Sequence, residues 1–292
     1  MDIRSIQTPG DMYYLYLPKI WCKENKITPG SKVTINYGPS GRMSIFPRIL
    51  EENQKNLVLD IEENDQDIIQ KLMVACYINP VSSFRINLDK NVDLSKILEQ
   101  KKKISLESIE IDGNGIVCDS IMSITNPASL LKTMLTKIKN MIRLIIDNYD
   151  KELIDKYEEE IDKSRILIEK AAIDHFTFIR PTRLRSIDLH YISCISKTLE
   201  NIVDQLILIS KEETELKQTL LDIISNLHDI IENLSVLDYK KGIQFIKKVN
   251  SIKDVEVKDL KSHQKHRIKQ LLMDISETVI DWAITKELED VS

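Results

Sequence analysis

The stretch RSIQTPGDMYYLYLPKIWCKENKITPGSKVTINYGPSGRMSIFP, residues 4–47, decides how the beginning of this chain folds. Ile3 to Gln7 reads as a short extended run. Thr8-Pro9-Gly10-Asp11 is a turn, because Pro fixes φ and Gly accepts a positive φ. Met12 to Leu17, rich in Tyr and Leu, is a second strand. Pro18 opens a short helix from Lys19 to Asn25, where its missing N–H is harmless. Thr28-Pro29-Gly30 turns the chain again. Val33, Ile35 and Tyr37 alternate with Thr34 and Asn36, the pattern of a half-buried strand. Gly38-Pro39-Ser40-Gly41 is the next turn, and Met43 to Phe46 is the last strand.

Four strands this short expose much edge and bury little core. A dimer that exchanges hairpins removes both problems. Charge adds a second expectation. Residues 1–48 hold seven Lys and Arg against three acids, a surplus of four, while the whole chain carries −5. A basic segment on an acidic chain suits a polyanionic partner. The plain alternative is ordinary surface cations. The candidate contacts are Arg4, Lys19, Lys23, Lys26, Lys32 and Arg42.

Leu17-Pro18-Lys19, then Trp21, then Ile27-x-Pro29-Gly30-x-x-Val33-x-Ile35 resembles the AbrB/SpoVT family of DNA-binding modules. The resemblance implies a swapped-hairpin β-barrel built by a homodimer, with basic residues of one face on double-stranded DNA.

The chain has 292 residues, room for two or three domains. Its 42% hydrophobic and 30% charged content is that of a globular protein, which excludes a disordered chain. No apolar run approaches the roughly 20 residues of a membrane span. The start MDIRSIQ has no apolar signal segment, so the expected location is cytoplasmic. Cys22, Cys76, Cys118 and Cys194 are widely spaced without a CxxC, which points to buried thiols.

Residues 51–125 read as a small α/β connecting domain. Leu57 to Ile61 is a strand. Asn64 or Asp65 caps a helix to Ile78 with Ile68, Leu72 and Ala75 on one face, and Asn79-Pro80 stops it. Phe84 to Leu88 is a period-two strand. Asp93 caps a helix near Leu94 to Lys102, and a hairpin turns at Asp112-Gly113-Asn114-Gly115. The order is βαβαββ.

Residues 126–292 read as all helix. Asn126-Pro127 is a cap with Pro in the first turn. Six amphipathic stripes follow. They begin with Leu130, Met134, Ile138, Met141 and Ile145, and end with Ile268, Leu271, Ile275, Val279 and Trp282. The shorter fifth carries Ile243, Ile246 and Val249. One-sided stripes bury a shared core as antiparallel bundles. The expected fold class is therefore a multidomain α+β chain: N-terminal barrel, α/β middle, helical bundles.

Three helices also carry Glu-x-x-x-Asp: Glu158 and Asp162, Glu200 and Asp204, Glu277 and Asp281. Each pair sits one turn apart, beside the apolar stripe. Two such pairs on adjacent helices offer oxygen ligands to a hard divalent or trivalent metal ion. The alternative is a solvated acidic edge. The layout, with Leu199-Glu200-Asn201-Ile202-Val203-Asp204, resembles PhoU, a phosphate-signalling protein of two three-helix bundles. The Arg and Gly of the family's string are replaced here. Both resemblances together imply a phosphate-uptake regulator whose helical tail senses a signal. The competing expectation is an adaptor on a phosphate transporter subunit or sensor kinase. His263 and His266 lie among Lys261, Lys265 and Lys269, which disfavours a metal there. No Ser-His-Asp or Cys-His arrangement has supporting context, so an enzyme is not expected.

Overall fold

The computed structural model describes residues 3–8, 10–37, 43–47, 56–89, 108–112, 115–119, 126–177, 184–209, 213–253 and 256–290. They form two compact units, one up to Pro47 and one from Asn56 onward. The fold is mixed α+β, mainly helical, with two small sheets. No closed barrel is present among the described residues.

In the first unit, α1 is Lys19–Glu24, preceded by Pro18. Its end is a left-handed cap. Ile27 N–H donates to the Cys22 carbonyl at 2.8 Å and Lys26 N–H to that of Lys23 at 3.2 Å. Lys26 supplies the positive φ of 55° that glycine usually supplies. Strands β1 (Thr34–Tyr37) and β2 (Met43–Phe46) pair antiparallel, with Thr34 opposite Phe46. The expected first hairpin is smaller than the sequence suggested. Gln7 and Tyr14 exchange two backbone hydrogen bonds as an isolated bridge, with Gly10 at φ 76° between them. Two strands alone are marginal, and among the described residues no third strand pairs with β1 or β2. No described residue of this unit is buried. Ile3 (85% exposed), Tyr13 (80%), Ile20 (73%) and Tyr37 (75%) face outward, so the described residues of the unit form no core.

The second unit starts with a four-stranded sheet. Strands β3 (Asn56–Ile61), β4 (Ser83–Leu88), β5 (Ser108–Asp112) and β6 (Gly115–Asp119) stand in the order β3-β4-β6-β5. Only β3 and β4 are parallel, because helix α2 (Gln66–Ile78) joins them as a crossover. Alternation puts Phe84, Ile86 and Leu88 inside. Asp65 caps α2 by accepting from Asp67 N–H at 2.8 Å. The buried face of α2 is Ile69, Met73, Cys76 and Tyr77, whereas Ile68 and Ala75 face out. Both stripes have helical period, and the rotation adopted covers the bulkier set. The expected helix near Leu94 to Lys102 lies outside the described residues.

Helices α3 (Pro127–Asp147), α4 (Lys151–Thr177), α5 (Ser186–Leu208), α6 (Thr214–Glu232), α7 (Tyr239–Asn250) and α8 (Leu260–Asp290) follow. Asn126 Oδ1 accepts from Ser129 N–H at 3.0 Å, and Pro127 sits in the first turn. Helices α3, α4 and α5 pack mutually; α3 also meets α6, and α5 meets α8. One continuous apolar cluster runs from Leu131 to Ala283. In α7 the inward residues are Gly242, Phe245 and Val249, while Ile243 is exposed. None of the helices described is long and apolar enough to cross a membrane.

Helices α7 and α8 cross closely at Gly242. A Cβ there would lie 2.6 Å from Ile280 Cδ1 and 3.3 Å from its Cα. Gly242→Val should therefore cost about 1–3 kcal/mol in denaturant unfolding. Unchanged stability would show that the helices do not approach at this residue.

Candidate functional sites

The described head cations are all exposed. Lys19 and Lys23 are exposed and one turn apart on α1, hence on one face. Lys26 is exposed at the left-handed cap that ends α1. Lys32 follows a turn in which Ser31 N–H donates to the Thr28 carbonyl at 2.9 Å and Gly30 takes φ 89°. Arg4 is exposed. Arg42 lies outside the described residues. Lys19, Lys23, Lys26 and Lys32 are held by a helix and tight turns, whereas Arg4 lies in an irregular segment.

The carboxylates of α4 and α5 are brought close together. Burial pushes the Glu200 carboxyl up; Arg165 opposes this, and Asp204 and Asp162 push it further. Burial likewise raises Asp204, against Arg165. Arg165 stands among them. Its Nη1 donates to Glu169 Oε2 at 2.6 Å, and its Nε is 3.7 Å from Glu200 Oε1. The set Glu158, Asp162, Glu200 and Asp204 does not bring three ligand atoms within 4.8 Å of one another. One guanidinium offsets part of the negative charge of this edge. Glu277 and Asp281 are exposed on α8 and join no such group.

A different cluster lies on α6. Donor atoms of His228, Asp229 and Glu232 lie within 4.8 Å of one another. His228 Nε2 is 3.3 Å from Thr136 Oγ1, and Nδ1 is 3.9 Å from Glu232. Burial, then Lys139, lowers the His228 pKa against the pull of Glu232 and Asp229. The signal in the sequence was the i, i+4 spacing of HDIIE, residues 228–232. The nearby Lys139 and Lys132 repel any cation that approaches.

Two buried polar contacts were not legible. Asp188 accepts from Arg185 Nε (2.7 Å) and Nη2 (2.6 Å) and from Trp282 Nε1 (2.6 Å). Tyr191 stacks on Trp282 with centroids 5.6 Å apart. Burial alone would raise the Asp188 pKa, but the bonds from Arg185 and Trp282 hold it below the usual value. Lys170 on α4 is buried, donates to the Tyr77 carbonyl at 2.6 Å and lies 4.4 Å from the Tyr77 ring centroid. All four cysteines are free thiols; Cys76 and Cys118 are buried, and burial pushes Cys118 up to about 12.

No family model, curated protein or solved structure matches this chain.

Burial lowers the Lys170 pKa to about 8, and Asp174 opposes the shift. Between pH 8 and 10.5 the unfolded chain therefore holds a proton that the native state has lost, so this residue makes stability rise with pH in that window. The Tyr77 phenol, raised by burial to about 12, stays protonated in the folded protein. Relative to Lys170→Met, the native protein should gain on the order of 2 kcal/mol between pH 8 and 10. Parallel pH profiles would show that Lys170 is charged and solvated.

Arg165→Met should destabilise the second unit by about 1–2 kcal/mol, because carboxylates lose their counter-charge. Thermal unfolding at neutral pH reads this. A Tm equal to that of the native protein would mean the carboxylates are separately solvated.

Proposed function

We propose that this chain is a DNA-binding transcriptional regulator, with an AbrB/SpoVT-like head and a PhoU-like helical tail that senses phosphate status or a transporter subunit. One observation carries the reading. The head exposes Lys19, Lys23, Lys26, Lys32 and Arg4 on a unit none of whose described residues is buried.

Two copies pair through this head. Exchanged strands cover Tyr13, Tyr16 and Ile35 and satisfy the edges left open beside the Gln7–Tyr14 bridge and β1–β2. Pairing also doubles the cationic face. Lysines contact phosphates as point charges and supply most of the affinity, while Arg4 and Arg42 reach a groove. The tail biases the head between bound and released states by binding its signal with different affinity in each. At the α4–α5 carboxylates Arg165 supplies part of the positive charge that such a cluster needs.

The test is duplex binding across a salt series, with the native protein beside Lys19→Gln/Lys23→Gln. The slope of log K against log salt should fall by about 0.9 for each phosphate contact removed. Sedimentation should give a dimer. A folded dimer that binds no duplex at low salt would sink the reading and favour the transporter adaptor.

A further inference from the structure

The outward side of the α7–α8 pair is apolar. Tyr239, Ile243 and Ile246 recur at four and three along α7, and Ile280, Ile284 and Leu288 at four along α8. Each set lies beside the buried stripe of its helix: Gly242, Phe245 and Val249 on α7, and Ile275, Val279 and Ala283 on α8. Tyr239, Ile243, Ile284 and Leu288 are exposed, Leu288 by 69%. The helices run antiparallel, since Gly242 meets Ile280 and Lys269 Nζ donates to the Ile252 carbonyl at 2.8 Å. Without a Cβ at Gly242, Ile280 lies against the α7 backbone, and the two sets merge into one patch. A contiguous exposed apolar patch of this kind marks an interaction surface.

Charges of opposite sign flank the patch. Lys240 and Lys247, two turns apart, lie on the flank of α7 away from α8. Asp274 and Asp281, also two turns apart, lie on the flank of α8 away from α7. All four are exposed, and the exposed Glu277 adds to the acidic side. Counted in opposite directions from the Gly242–Ile280 approach, Lys240 is level with Asp281 and Lys247 with Asp274. Among the described residues, Lys247, Asp274 and Asp281 form no ion pair, and Lys240 lies over its neighbour's ring, 5.9 Å from the Tyr239 centroid.

We infer that this α7–α8 face is a contact with a second copy of the chain, related by a two-fold axis running along the helices. Such a rotation lays α7 of one copy over α8 of the other without changing level. Ile243 then packs on Ile284 of the other copy, Tyr239 on Leu288, and each lysine meets an aspartate on both flanks. A two-fold across the helices would set lysines on lysines, so the charges also choose the axis. A polyanion, lipid or nucleic, would meet the acidic flank along its whole length. The inference goes beyond the DNA-binding reading and uses no head residue.

Sedimentation of the full chain tests it in a head variant, Tyr13→Glu/Ile35→Glu, which blocks the pairing assigned to the head. That protein should still self-associate. Its dissociation constant should rise about tenfold or more on adding Ile243→Glu/Ile284→Glu, and likewise on adding Lys240→Glu/Lys247→Glu, which brings like charges together. Combining the lysine reversal with Asp274→Lys/Asp281→Lys should restore association, a rescue that an unfolded variant cannot give. A monomeric head variant overturns the inference, leaves the patch to a different protein and keeps the head pairing intact. Association that ignores the apolar pair, or a lysine reversal that is not rescued, overturns it as well. A monomeric native protein overturns both pairings.

Discussion

Helix α4 has to bury two faces at once. Ile154, Ile161 and Ile168 enter the helical cluster, while Ile166 joins the core of the sheet and α2. A helix flanked on both sides cannot rotate without exposing one of its layers. Lys170 results from this arrangement. It reaches the Tyr77 carbonyl at the C-terminal end of α2, one of the terminal carbonyls that intrahelical bonding leaves open. The α/β layer and the helices thus form one unit, with a charged side chain inside their contact.

The same constraint organises the acidic residues. With the apolar stripe of α4 turned to the core, its flanking Asp162 and Arg165 meet Glu200 and Asp204 of α5. Proximity of carboxylates in a partly buried setting must be offset by positive charge. This chain uses its own arginine. At the other end of α5, Asp188 does comparable work with Arg185 and Trp282, fixing α5 against α8 by directional bonds that apolar packing does not provide.

The first unit obeys the opposite constraint. Its turns are well specified, since Gly10 and Gly30 adopt the positive φ their positions require. Its strands are too few to make a core. Local signals shape its turns, and none of its described residues is buried. Long-range burial in the second unit comes from its own chain, so its helices and sheet complete themselves.

Local chemistry was therefore readable in advance. The Asp65 and Asn126 caps, the stop at Asn79-Pro80, the period-two strand Phe84 to Leu88 and the helical stripes around Met134, Ile138 and Val279 follow from propensity and spacing. The charge imbalance between residues 1–48 and the rest was readable too. The choice between two equally periodic faces of α2 was not, because rotation is decided by what the sheet offers. The reduction of the first hairpin to the Gln7–Tyr14 bridge was not legible either, because strand pairing depends on tertiary context more than on local propensity. The approach of Arg165 to Glu200, of Lys170 to Tyr77 and of His228 to Thr136 joins residues 35, 93 and 92 positions apart. Sequence determines which side chains each helix carries and on which side. Only tertiary packing decides which of those sides face each other, because that depends on rotations and crossings set by the whole core.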